Sequence, residues 1–88
     1  MMNEVISYLK VNGDTPISAK SLGRIFGHTD ITIRRIINQA RLEGVPICSS
    51  SKGYYYSECR EDINRTVASL MHRITSIQNA VNGLVSNL

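Results

Sequence analysis

Apolar residues recur at three- and four-residue spacing in four stretches of this chain, and glycine or proline punctuates the gaps between them. Val5, Ile6 and Leu9 share one helical face, and the stretch closes at Asn12-Gly13-Asp14, which predicts a first helix of about three turns. Thr15-Pro16-Ile17 reads as extended, because proline denies the helical region to the residue before it; a short strand is one outcome. Ser18 can cap a second helix of about eight residues. It would carry Ala19, Leu22, Ile25 and Phe26 inward and Lys20, Ser21 and Arg24 outward before Gly27 breaks it. In the tight turn that follows, Thr29 or Asp30 can accept from the free amides of a third helix, predicted over 30–43 and ended by Gly44 and Pro46. Ile33, Ile36 or Ile37, and Ala40 form its inward stripe, leaving Thr32, Arg34, Arg35, Asn38 and Arg41 on the remaining surface.

Beyond Gly44 the period changes. Residues 45–49 and 54–56 are short β-prone runs joined by Ser50-Ser51-Lys52-Gly53, which predicts a hairpin with a flexible, hydroxyl-bearing, singly charged tip. From Ser57 onward there is no proline, and Ile63, Val67, Leu70, Ile74, Ile77, Val81, Leu84 and Leu88 follow one another at intervals of 4, 3, 4, 3, 4, 3 and 4. This 3.5-residue repeat is the seam of a coiled coil, with Val67, Ile74, Val81 and Leu88 at a and Ile63, Leu70, Ile77 and Leu84 at d. β-Branched side chains at a lean toward a parallel two-stranded coil. The stripe spans about 25 residues, roughly 38 Å of helix at 1.5 Å per residue, which is more than so small a domain can cover. A second copy of the chain is therefore the expected partner, with oligomers larger than two also open. Folding back on the domain, with Met71 and Val85 widening the stripe, is the alternative. Asn82-Gly83 is expected to fray or bend the last turns, and acids between Glu58 and Asp62 suit a helix beginning near Ser57 or Glu58.

The 88 residues divide on this reading into a domain over 1–56 and an amphipathic helix over 57–88. A chain of this length excludes a large enzyme. No apolar run of about 18 residues and no charged-then-apolar leader is present, so a cytoplasmic protein without a membrane partner is expected. Cys48 and Cys59 read as reduced thiols, because neither sits in a CxxC pair or near histidines at zinc spacing; no metal and no cofactor is expected. The net charge is +3, and its placement matters more than its size. Between Ile17 and Tyr56 the cations Lys20, Arg24, Arg34, Arg35, Arg41 and Lys52 face only Asp30 and Glu43, whereas after Ser57 three arginines balance three acids. A basic front with a neutral tail favours a polyanionic partner for the front.

Helix, short extended segment, helix, tight turn, helix and hairpin is the order of a winged helix-turn-helix. The stretch from Ile17 to Tyr56 resembles the biotin-repressor and DeoR type in Leu22, Gly27, Thr29, Ile33-Arg34-Arg35-Ile36-Ile37-Asn38, Glu43-Gly44-Val45-Pro46-Ile47 and Ser51-Lys52-Gly53-Tyr54-Tyr55. The match covers about half the chain. It implies an α+β, mainly α fold with a two-stranded wing, to which this sequence adds a long C-terminal coiled-coil helix. It further implies double-stranded DNA as partner, with residues 30–43 in the major groove and residues 48–55 against a neighbouring groove or phosphates. Elementary geometry agrees, since a helix of about 10–12 Å diameter fits a groove about 12 Å wide.

On that reading Thr32, Arg35 and Asn38 are candidates for base edges, because arginine can bond guanine and asparagine adenine at two points. Lys20, Arg24, Arg34, Arg41 and Lys52 suit phosphates, joined by Thr29 and Ser51 in the turn and tip and by the Tyr54 hydroxyl. One or two rings of Tyr54-Tyr55-Tyr56 should fill core. The expected function is sequence-specific DNA binding as a homodimer, in transcription regulation or in a DNA transaction of the kind served by small phage-encoded proteins of similar architecture. A winged helix can instead be a protein-binding platform within an assembly, and this is the rival reading. Enzymatic chemistry is not expected: the chain has no phosphate loop, no nucleophile with a histidine partner and no recognisable carboxylate pair, and no small-molecule ligand is evident.

Overall fold

The second and third helices each start at a side chain that accepts a backbone hydrogen bond and end within two residues of a glycine. In the computed structural model, which describes residues 2–88, the elements are α1 (Met2–Asn12), α2 (Ala19–Phe26), α3 (Asp30–Leu42), β1 (Ile47–Ser50), β2 (Gly53–Tyr56) and α4 (Arg60–Val85). Ser18 Oγ accepts from the Ser21 amide at 3.1 Å to open α2, and Thr29 Oγ1 accepts from the Thr32 amide at 3.2 Å to open α3. Thr29 rather than Asp30 is thus the cap. Glu43, expected inside the third helix, is the residue that closes it. The fold is α+β and mainly helical, with one two-stranded antiparallel sheet.

The core is a single cluster. Val5 and Leu9 come from α1, Ala19 and Leu22 from α2, Ile33, Ile37 and Ala40 from α3, and Ile47 from β1, with Ile36 packed at its margin. Phe26 reaches the core edge-on to Tyr8, with ring centroids 5.6 Å apart. Ile25, expected inward, points outward and is 49% exposed. The reason is Gly23, which occupies the buried face of α2 and turns that face away from Ile25. A Cβ at Gly23 would collide with the carbonyl oxygen of His28, so the missing side chain is what lets the following turn close against α2.

The hairpin pairs Ile47 with Tyr56, Cys48 with Tyr55, Ser49 with Tyr54 and Ser50 with Gly53, which leaves only Ser51 and Lys52 in the turn. Gly53, expected in the loop, is the first residue of β2. Its φ of 137° and its approach to the Ile17 backbone both require glycine. There Ile17 exchanges two hydrogen bonds of 2.8 Å with Tyr54, so the Thr15-Pro16-Ile17 segment contributes one bridge and no strand. Side chains alternate along β2. Tyr54 and Tyr56 pack against the helical core, while buried Tyr55 lies on the opposite face with Cys48. Burial, followed by the neighbouring Asp62 carboxylate, raises the Tyr55 pKa above its ordinary value.

The first turns of α4 close over that second face. Asp62 accepts from Ser57 Oγ at 2.7 Å, and buried Thr66 accepts the Ser49 amide of β1 at 3.2 Å. From Met71 onward every residue of α4 is exposed, so the helix leaves the domain as a rod and the molecule measures 49 × 30 × 23 Å. The rod begins at Arg60, slightly later than expected, and runs without a break through Asn82-Gly83 to Val85, where Ser86 Oγ donates to the Gly83 carbonyl. The expected fraying or bend is not seen. No helix among the described residues is long and apolar enough to cross a membrane.

Candidate nucleic-acid interface

Burial of Ile33, Ile37 and Ala40 fixes the rotation of α3, and at about 100° per residue the opposite face carries Ile31, Arg35, Asn38 and Leu42. Arg35 and Asn38 stand exposed at the middle of that face and make no hydrogen bond or ion pair among the described residues. Ile31 and Leu42 flank them, 60% and 73% exposed. Arg34 sits to one side, 3.9 Å from Asp30 in a pair so open to solvent that it contributes little to stability. Thr32 lies on the other side and is half-buried, its hydroxyl accepting from that of Thr29 at 3.0 Å. The Thr29 and Thr32 hydroxyls are therefore engaged with each other at the helix start, and neither stands at the centre of the face.

The turn brings α2 to the same end of α3. Lys20, Arg24, His28, Thr29 and Asp30 border one shallow depression around Gly23 and Gly27. Lys20 and Arg24 are exposed, without partners among the described residues, and sit beside the positive end of the α3 dipole. Two cations and a helix N-terminus together attract an anion.

At the other end of α3 the structure corrects one expectation. Arg41, expected to lie free for phosphate, donates from Nε to the Ile47 carbonyl at 2.8 Å and from Nη2 to Ser49 Oγ at 3.2 Å. Its guanidinium also rests 5.6 Å from the Tyr54 ring centroid. Burial lowers its pKa, but a guanidinium remains charged in a protein. Arg41 is a strut fixing the hairpin to the C-terminal end of α3. Tyr54, expected to offer its hydroxyl, is likewise half-buried, with its ring under Arg41 and its backbone tied to Ile17. Ser51 and Lys52 are exposed at the tip, where the Lys52 amide donates to Ser50 Oγ and the ammonium is free.

The apolar seam of α4 divides in two. Ile63, Val67 and Leu70 border a groove with Val45, Pro46 and Cys48, so this part lies along the chain's own domain. Ile74, Ile77, Val81 and Leu84 stand in solvent, widened by Met71 and Val85. Leu88 falls beyond the helix end. Two sets of residues escaped the sequence reading. Ile31, which the inward stripe of Ile33, Ile36 or Ile37, and Ala40 does not include and to which the sequence reading assigns no role, is an outward apolar side chain exposed by the rotation of α3. Arg65, Ser69 and Arg73 border the cleft between hairpin and α4, and their four-residue spacing was the available signal. Among the described residues no three His, Cys, Asp or Glu side chains are grouped so as to hold a metal ion. In comparison with known proteins, the chain matches no family model, no curated protein and no solved structure.

Proposed function

We propose that this chain is a winged helix-turn-helix protein that binds double-stranded DNA sequence-specifically as a homodimer, and that it is not an enzyme. The observation that carries the reading is the outward face of α3, where Arg35 and Asn38 project without intramolecular partners from a helix locked by three core residues. Such side chains match the donor and acceptor pattern of guanine and adenine edges. Lys20 and Arg24 at the turn and Lys52 at the hairpin tip then meet phosphates and set the register. Ile31, on the same face as Arg35, suits a thymine methyl group.

The free half of the α4 seam takes a second copy of the chain. Ile74 and Val81 at a with Ile77 and Leu84 at d keep the coiled-coil phase, and of the flanking positions Asn64, Arg73, Gln78 and Asn87 only Arg73 is charged, which is little to select a foreign helix. Pairing the rods fixes the separation of two α3 helices, and with it the spacing of half-sites. Transcription regulation or another DNA transaction, such as those of phages, is the process served.

The test is binding to duplexes selected from a random pool, followed by fluorescence anisotropy across a salt series. Affinity should fall steeply, with a log–log slope of about −0.9 for each phosphate neutralised. Absence of binding at low salt, or affinity indifferent to salt, would pass the case to a protein-binding platform. That second reading draws on the exposed Ile25, Ile31 and Leu42, which could seat an apolar partner surface.

A further inference from the structure

We infer that the cleft between the hairpin and α4 is a phosphate site, occupied by one backbone phosphate of the bound duplex. The first half of α4 then belongs to the nucleic-acid interface as well as to the dimer; this rests on the DNA-binding reading above. The cleft encloses about 540 Å³. It is lined by Arg41 and Tyr54, by the hairpin serines 49, 50 and 51, and from α4 by Arg65, Ser69 and Arg73. No acidic side chain lines it.

The arginines differ in readiness. Arg41 is immobilised, with two of its five N–H donors bonded to β1. Burial makes its charge costly, and the like charge of Arg73 adds to that cost, so an anion between them would relieve both. Arg65 is partly neutralised by Asp62 at 3.2 Å, a pair that is exposed on the arginine side. Arg73 has no partner among the described residues. Guanidinium and hydroxyl donors lining one cleft from both the hairpin and α4 suit a tetrahedral oxyanion, whose oxygens can accept from several directions at once.

Helical geometry leaves most of the site clear of the seam. At about 100° per residue Arg65 and Ser69 lie roughly a quarter of a turn or more from the line through Ile74 and Ile77, while Arg73, at g, flanks that line and reaches the cleft from its edge. Thr66 fastens α4 to the edge of β1 and holds these residues opposite the hairpin serines. A strand of DNA running along the exposed Lys52 tip would pass the mouth of this cleft.

Arg73→Gln is the variant of choice, because the side chain is exposed and unpartnered and its loss should leave thermal unfolding unchanged. Arg41 is left alone because it holds the hairpin. In the full-length protein R73Q should weaken binding several-fold on every duplex alike and lower the magnitude of the salt slope by about one. Wild-type affinity and slope in R73Q, with the wild type itself binding DNA, would overturn the inference while leaving the DNA-binding reading intact. Titration with inorganic phosphate, followed by amide shifts at Ser50, Ser51 and Ser69, separates the site from its occupant. Shifts that R73Q abolishes establish a phosphate site on their own, whereas their absence in a wild type that also binds no duplex removes site and reading together.

Discussion

Helices α3 and α4 contain the same kind of isoleucine-rich stripe and treat it in opposite ways. Ile33 in α3 is completely buried, while Ile77 in α4 is 57% exposed. The difference lies in what surrounds each helix and not in its own composition. α3 is 13 residues long and packs against α2, α1 and β1, so three neighbours cover its stripe. α4 is 26 residues long and meets the domain only along its first turns. A domain this small has no surface left to cover the remainder. Exposed apolar surface that keeps a strict 3.5-residue phase points to another helix with the same phase.

Paired substitutions test that contrast most severely. Ile33→Ala should destabilise the protein by about 2–5 kcal/mol, because the core cannot close over the lost side chain, whereas Ile77→Ala should leave unfolding of the dilute monomer nearly unchanged. Urea denaturation of both variants measures the difference, and equal losses would mean that the rod is packed on the domain in solution. Ile77→Asp should halve the molar mass seen by light scattering, by placing a charge in the seam. An unaltered mass would remove the coil from the account.

The next contrast lies within the surface proposed to face DNA. Arg35→Ala should cost about 1–3 kcal/mol on the selected sequence and relax the choice of base, while Lys52→Ala should weaken all duplexes alike and by less. A uniform loss in both variants would reassign Arg35 to phosphate. The smallest effect concerns the junction of rod and domain. Thr66→Val should cost about 1 kcal/mol by leaving the Ser49 amide without its acceptor. Faster hydrogen exchange at that amide is the readout, and unchanged protection would show that water or another group satisfies it.

Much of the architecture was legible because local chemistry specifies it. Ser18 and Thr29 announce helix starts, Gly44 and Pro46 a stop, and Val45 to Tyr56 a change of period. The misjudged positions depend on partners distant in the chain. Ile25 has the spacing of a core residue, yet Gly23, accepting the close approach of His28, moves the buried face away from it. Arg41 has the look of a free surface cation, and only the folded hairpin supplies the Ile47 carbonyl and Ser49 hydroxyl that hold it. Ser69 and Arg73 are two ordinary residues of a polar helix face until Thr66 brings that face to the hairpin.

Periodicity and capping chemistry act over three or four residues, so the sequence alone determined which segments are helices, where they stop to within about a turn, and that the last one repeats in coiled-coil phase. Tertiary packing decided which side chains stand free. It rotated α3 so that Arg35 and Asn38 project, drew Arg41 into the hairpin, and faced the α4 arginines toward the tip serines. Those outcomes depend on contacts between residues far apart in the chain, and neither spacing nor propensity encodes such distances.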